Sequence, residues 1–192
     1  MFIDNLQNKF GYSEMYEWSE LFKYDIIPFG RFVTFAENGK IRLANDNDFI
    51  VGVTTINSAY VSDDPDEWQG KYLCNQYGDV LLQEKMIIHA ENAYDDKEEF
   101  KYITTISNKE VVPVINEEYD KDKPYIKRSN RNEWIRVHLL GKCIVVDDGT
   151  LLPGSWCTIG KDGIAIHANS HSINKYYVMD RLTEDTIMIF FK

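Results

Sequence analysis

From residue 137 to residue 191 the chain repeats one pattern, a short run of branched and aromatic residues followed by a turn built on glycine, aspartate or asparagine. The runs cover residues 137–146, 156–159, 164–168, 176–181 and 186–191, separated by punctuation such as Asp147-Asp148-Gly149 and Gly160-Lys161-Asp162-Gly163. Branched and aromatic side chains suit a pleated, half-buried backbone, and turns at this spacing reverse the chain before a helix can propagate. A mainly β, multi-stranded sandwich or barrel-like domain follows. Upstream, Glu37-Asn38-Gly39 separates runs 29–35 and 40–43, and Asn-Gly supplies the positive backbone angles of a tight hairpin. Residues 49–56 read as a buried central strand in which Gly52 marks a bulge or a close crossing. Short strands are expected at 72–74, 79–82, 86–89, 102–106 and 111–115, with Gly78 at a turn and Pro113 at an edge. Only the charged stretch 92–101 suggests a short helix.

Composition narrows the functions open to such a fold. With 192 residues, 44% of them hydrophobic, the chain can build one well-buried core, so a single domain is expected. The formal charge of -10 opposes binding to nucleic acid or to anionic membrane. Cys74, Cys143 and Cys157 lack paired spacing and fit reduced, buried thiols better than a disulfide framework or a zinc site. The polar first residues leave no apolar core for a signal peptide, and the longest apolar run, 187–191, falls far short of a membrane span. A soluble protein synthesised in the cytoplasm is expected. Residues 116–133 form a polar excursion on the surface.

Candidate chemistry gathers at Ser13-Glu14-Met15-Tyr16-Glu17, a hydroxyl and two carboxylates beside Trp18. Coiled into a helical turn, Glu14 and Glu17 would share a face and could take different protonation states, one as acid and one as base. The plainer reading is an amphipathic turn over 14–22, with Met15, Trp18 and Phe22 inward and Glu14, Glu17 and Glu20 in water. Other candidates are weaker. The acidic loop 62–67 lacks the spacing of a calcium loop and contains a proline. His167 and His171 lie four apart in a turn-rich stretch, and no glutamate of a metalloprotease helix accompanies them. Cys157 could pair with either histidine, yet no cysteine-protease signature surrounds it, so an apolar filler is the better reading. No glycine-rich phosphate loop is present, and no cofactor or metal is implied. The 12 Tyr, 10 Phe and 4 Trp exceed what a core of this size needs, so some should face a second subunit.

Ser13-Glu14-Met15-Tyr16-Glu17-Trp18 resembles the Ser-Asp-x-x-Glu start of the autoproteolytic C-terminal intramolecular-chaperone domain of phage tail-spike and pre-neck appendage proteins, a glutamic-peptidase family. The resemblance continues through Gly30-Arg31-Phe32-Val33-Thr34, Lys40-Ile41-Arg42-Leu43-Ala44-Asn45, Trp68-Gln69-Gly70-Lys71-Tyr72-Leu73, Leu140-Gly141-Lys142 and Val145-Val146-Asp147-Asp148-Gly149-Thr150. It spans residues 13–192 and leaves 1–12 as a leader. The resemblance implies a homotrimer at the end of a spike or fibre, which helps that fibre fold in register and then cuts itself off. A virion component made in the host cytoplasm is implied as well. Carried over, the scissile bond is Ser13–Glu14, Glu17 holds the catalytic glutamate's position, and Glu14 replaces an aspartate with one methylene more. The implied chemistry is hydrolysis, with Glu17 buried beside aromatic groups exchanging a proton with water or the leaving nitrogen, and Glu14 orienting or sharing that proton. Attack by the Ser13 hydroxyl would instead break Tyr12–Ser13. The alternative function is a non-cleaving trimeric module that caps or attaches a virion component.

Overall fold

A computed structural model describes residues 9–19, 28–94 and 100–192, with side chains described outside 88–107. The described strands are β1 (Phe10–Glu17), β2 (Phe32–Phe35), β3 (Ile41–Leu43), β4 (Gly52–Thr55), β5 (Ser58–Ser62), β6 (Leu82–Tyr94), β7 (Phe100–Pro113), β8 (Trp134–Val146), β9 (Trp156–Ile159), β10 (Ala165–His167), β11 (Tyr176–Arg181) and β12 (Thr186–Phe191). Helical segments among the described residues are three-residue 3-10 turns such as Glu37–Gly39 and Lys161–Gly163. The fold is therefore mainly β, as the alternation of apolar runs and turns requires. The single domain expected from length divides into two compact units, one running up to Asp66 and resuming at Ile126, the other Glu67–Tyr125.

In the first unit ten strands form one curled sheet, ordered β10-β9-β11-β12-β8-β4-β2-β3, with β1 joined to β8 and β5 joined to β1. The 13-residue β8 organises it, hydrogen-bonding to β1 and β4 along its first part and to β12 along its last. The Asn-Gly hairpin forms as expected, with Asn38 at φ 59° between the paired β2 and β3. β4 lies between β2 and β8, and a Cβ at Gly52 would overlap the His138 carbonyl oxygen, which is the close crossing the sequence suggested. The ends of that run differ from expectation. Phe49 and Ile56 are 72% and 65% exposed, because the ladder covers only its middle.

Strand alternation sends neighbours into different cores. Phe32 joins Val53, Val145, Ile159, Ile187 and Ile189, whereas Val33 joins Trp18, Ile41, Leu43, Ile135 and Val137. In the first cluster Tyr176 stacks between Phe32 and Phe191, with ring centroids 5.1 Å away on each side. Cys143 and Cys157 fill the same core; burial pushes both thiols up, that of Cys157 to about 12. In the second cluster Trp18 is fully buried, and Ser19 N–H donates to the Ile41 carbonyl at 2.9 Å. Burying a large apolar side chain contributes about 1.5–3 kcal/mol. The end of β1 is thus fastened to β3.

The acidic loop 62–67 and the basic residues after Ile126 neutralise each other. Arg128 pairs with Asp63, Lys127 with Asp66, and Ser129 N–H donates to Asp64 Oδ1 at 3.0 Å. The Arg128 guanidinium also lies 4.1 Å from the Trp134 ring centroid. Among the described residues no group of three or more potential ligands could hold a metal. No helix among them is long and apolar enough to cross a membrane.

The second unit is dominated by the antiparallel pair β6 and β7. Rather than separate short strands, the runs 102–106 and 111–113 join in the 14-residue β7 and the run 86–89 lies within the 13-residue β6, and the helix expected over 92–101 is not formed at its described ends, where Asn92 pairs with Ile103 and Ala93 with Tyr102. Residues 95–99 of that expected helix lie outside the described residues. Ladder bonds from a partner strand satisfy this backbone, overriding the modest helix preference of its charged residues. Pro113 closes β7, as its missing N–H favours. Cys74 is exposed rather than buried, because its run makes only isolated bridges, Tyr72 to Ile115 and Cys74 to Val80.

Candidate active site

The Ser13–Glu17 segment is a strand, not a helical turn. β5 pairs with β1 in parallel and β8 in antiparallel, so the backbone at Ser13 and Glu14 has a ladder partner on both edges. Those bonds override the helix preference of Glu14, Met15 and Glu17. The consequence for the two carboxylates is geometric. Side chains alternate along a strand, so Glu14 and Glu17 project from opposite faces, about 10 Å apart along the chain. Met15 and Trp18 are buried as the amphipathic reading held, while Glu20 and Phe22 lie outside the described residues.

One face of β1 carries Tyr12, Glu14 and Tyr16. Tyr12 Oη donates to Glu14 Oε1 at 2.6 Å, and Tyr16 Oη donates to Glu14 Oε2 at 3.2 Å. Ser62 Oγ lies 2.6 Å from Tyr12 Oη. Since the Tyr12 proton goes to Glu14, Ser62 is the donor in that contact. Burial, then the neighbouring Glu14 charge, pushes the Tyr16 phenol up to about 12. The sequence places Tyr16 within the candidate motif but gives neither tyrosine a role. Their signal, Tyr-x-Glu-x-Tyr, is legible only with a period of two.

The other face is dry where it meets the junction. Ser13 is fully buried, with its Oγ 2.5 Å from Ser58 Oγ. Glu17 is not buried, contrary to expectation. Its side chain is 34% exposed, and Lys40 Nζ sits 2.6 Å from Oε1. A further group had no spacing signal at all. His138 faces Ser13 across the β1–β8 ladder, is 1% exposed, and its Nε2 has no hydrogen-bond partner among the described residues. Burial holds the imidazole below its ordinary pKa, opposed by the nearby Leu140 carbonyl.

The depressed His138 pKa sets a sign for acid sensitivity. Below about pH 6.5 the unfolded chain binds a proton that the folded chain refuses, so this stability is full above that pH and falls beneath it. Urea midpoints followed from about pH 7.5 to pH 5 should drop more steeply for the wild type than for His138→Gln. Parallel slopes would remove His138 as the cause.

The remaining candidates do not assemble a site. His167 is the ladder partner of Cys157, but its Nε2 lies 3.3 Å from the Thr150 carbonyl oxygen, and the buried thiol is raised away from its thiolate. His171 is exposed, and its backbone N–H donates to Asn169 Oδ1 at 2.8 Å.

Known proteins share both the sequence and the fold. The chain is 33% identical over 144 residues to the preneck appendage protein of Bacillus phage PZA, covering 74% of this chain and 15% of that protein. The pre-neck appendage protein of Bacillus phage B103 is 30% identical over 155 residues, covering 80% and 16% respectively. The chain thus spans about 15% of the length of the curated relatives it matches. A crystallised C-terminal fragment of bacteriophage phi29 gene product 12 superposes with a TM-score of 0.64 at 25% identity, covering 94% of this chain and 99% of the fragment. The pre-mature form of that gene product matches in fold, with a TM-score of 0.67 at 24% identity over 96% of this chain and 22% of that one. The model of the family described as Peptidase_G2, IMC autoproteolytic cleavage domain, matches residues 4–187, almost the entire length. The chain belongs to this Peptidase_G2 family of autoproteolytic cleavage domains.

Proposed function

We propose that this chain is a self-cleaving domain of a phage appendage or spike, hydrolysing its own Ser13–Glu14 peptide and serving as an intramolecular chaperone for the fibre to which it belongs. The observation that carries this reading is the Glu14 carboxylate held by two phenols at the junction itself. The buried Ser13 face excludes bulk water, while Glu14 and Tyr12 are partly exposed, so water approaches the peptide from the Glu14 face. Its oxygen adds to the Ser13 carbonyl carbon, the carbon–nitrogen bond breaks, and the proton reaches the Glu14 nitrogen, leaving a new carboxylate and a new amine.

Within one chain Glu17 is too far from Glu14 to share that proton. This separation favours a homotrimer in which association brings a second carboxylate to the junction. An exposed aromatic ridge beside the site supports the same reading. Tyr16 lies 6.1 Å from Phe35, and Phe35 stacks 6.4 Å from Phe49, the latter two 46% and 72% exposed. Rings so exposed and so grouped mark a surface that another chain covers. In this reading cleavage reports correct assembly, and the domain resides in a virion.

Incubation of the purified chain followed by intact-mass analysis tests the proposal. The wild type should yield a fragment beginning at Glu14, and Glu14→Gln and Glu17→Gln should each slow its appearance by about a hundredfold or more. A fragment beginning at Ser13 would instead identify attack by the Ser13 hydroxyl. A wild type that assembles as a trimer and stays at full mass would leave the non-cleaving attachment module as the function.

A further inference from the structure

We propose that Tyr12 and Tyr16 are positioning residues for self-cleavage, fixing the orientation of the Glu14 carboxylate, with Ser62 holding Tyr12 in place from the neighbouring strand. The proposal rests on the self-cleavage reading and adds the groups that aim the reacting carboxylate.

A glutamate on an open strand face has three rotatable bonds and samples many orientations, and ordering it costs entropy. Here each oxygen has its own donor, Tyr12 at 2.6 Å on Oε1 and Tyr16 at 3.2 Å on Oε2. One carboxylate orientation satisfies both. The donors sit two residues before and two residues after Glu14, on the same face of β1, so the clamp follows from strand periodicity. Each carboxylate oxygen has two acceptor sites, so one donor apiece leaves the second free to take a proton from water. That proton then passes to the Glu14 nitrogen as the Ser13–Glu14 bond breaks.

Neither tyrosine is free to swing away. Ser62 is the register partner of Glu14 on β5, and its hydroxyl lies 2.6 Å from Tyr12 Oη, so a relay of donors runs from Ser62 through Tyr12 to Glu14. Tyr16 rests against Phe35, with the rings inclined at 58°. The clamp therefore spans two strands and draws on residues 50 positions apart.

Cleavage rates of the full chain, read by mass, test the assignment through Tyr12→Phe, Tyr16→Phe and Ser62→Ala. Tyr12→Phe keeps the ring and loses the shorter donor, so it should slow cleavage about ten- to a hundredfold with an unchanged urea midpoint. Tyr16→Phe should cost less, in keeping with its longer contact. Ser62→Ala should slow the wild type but add nothing in the Tyr12→Phe background, because Ser62 acts through the hydroxyl already removed. A merely structural role would make the two effects add and would move the midpoint. If Tyr12→Phe fails to fold, Ser62→Ala alone carries the test, since it leaves both phenols in place. A Tyr12→Phe chain that cuts at the wild-type rate overturns the positioning role while self-cleavage stands. A wild-type trimer that never cuts overturns both.

Discussion

Asp147→Asn should lower the stability of the fold by about 3–5 kcal/mol, the loss expected when one partner of a buried ion pair is removed. The Asp147 side chain has no solvent exposure, and Arg181 Nη2 lies 2.5 Å from its Oδ2. Leu151 N–H donates to the same carboxylate oxygen at 3.3 Å. Arg181 also binds the Leu151, Thr183 and Glu184 carbonyl oxygens, so the pair joins the end of β8 to the end of β11 and to both adjoining turns. An asparagine keeps the shape but turns an amide toward a guanidinium whose charge is then uncompensated. The urea midpoint should fall with an unchanged slope, and Asp147→Asn combined with Arg181→Met should recover part of the loss. The exposed pair of Lys109 with Glu84, 72% and 70% exposed, is the contrast, and Lys109→Ala should scarcely move the midpoint. A midpoint as little changed in Asp147→Asn would show that the carbonyls alone hold Arg181.

The elements legible in the sequence were those decided locally. Trp156–Ile159, Tyr176–Arg181 and Thr186–Phe191 form with the boundaries expected, since each is a branched or aromatic run closed by a turn. Asn38 likewise carries its own turn. What escaped was decided by distant neighbours. Glu14, Met15 and Glu17 are good helix formers, and only pairing with β5 and β8 makes them a strand. The same applies to β6 and β7, whose short apolar runs have no alternation strong enough to reveal that each belongs to one long paired strand. The family was legible because its motifs are spread along the whole chain. The geometry of the site was not, because Ser58, Ser62 and His138 reach it from other strands.

Gly11→Ala should cost about 2–5 kcal/mol and suppress cleavage with it, because two penalties coincide at that position. Gly11 has φ +58°, a left-handed backbone that disfavours any Cβ. A methyl there would also overlap the Leu140 carbonyl oxygen and the edge of the His138 imidazole. The carbonyl belongs to β8, so relief requires β1 to part from β8 at the irregularity between Tyr12 and Ser13. Such a shift would separate Ser13 from Ser58 and disturb the tyrosine clamp, which begins at the next residue, Tyr12. Gly39→Ala separates the two penalties, since its φ is +73° but nothing lies within 4 Å of a Cβ there. It should lose only the backbone share, about 1–2 kcal/mol, and leave cleavage unchanged. If Gly11→Ala proves as mild as Gly39→Ala in both urea midpoint and cleavage rate, the close approach of β1 to His138 does not hold the junction. If only Gly11→Ala loses cleavage, the contact between β1 and β8 sets the geometry of the Ser13–Glu14 peptide, and this glycine belongs to the site without contributing a side chain to it.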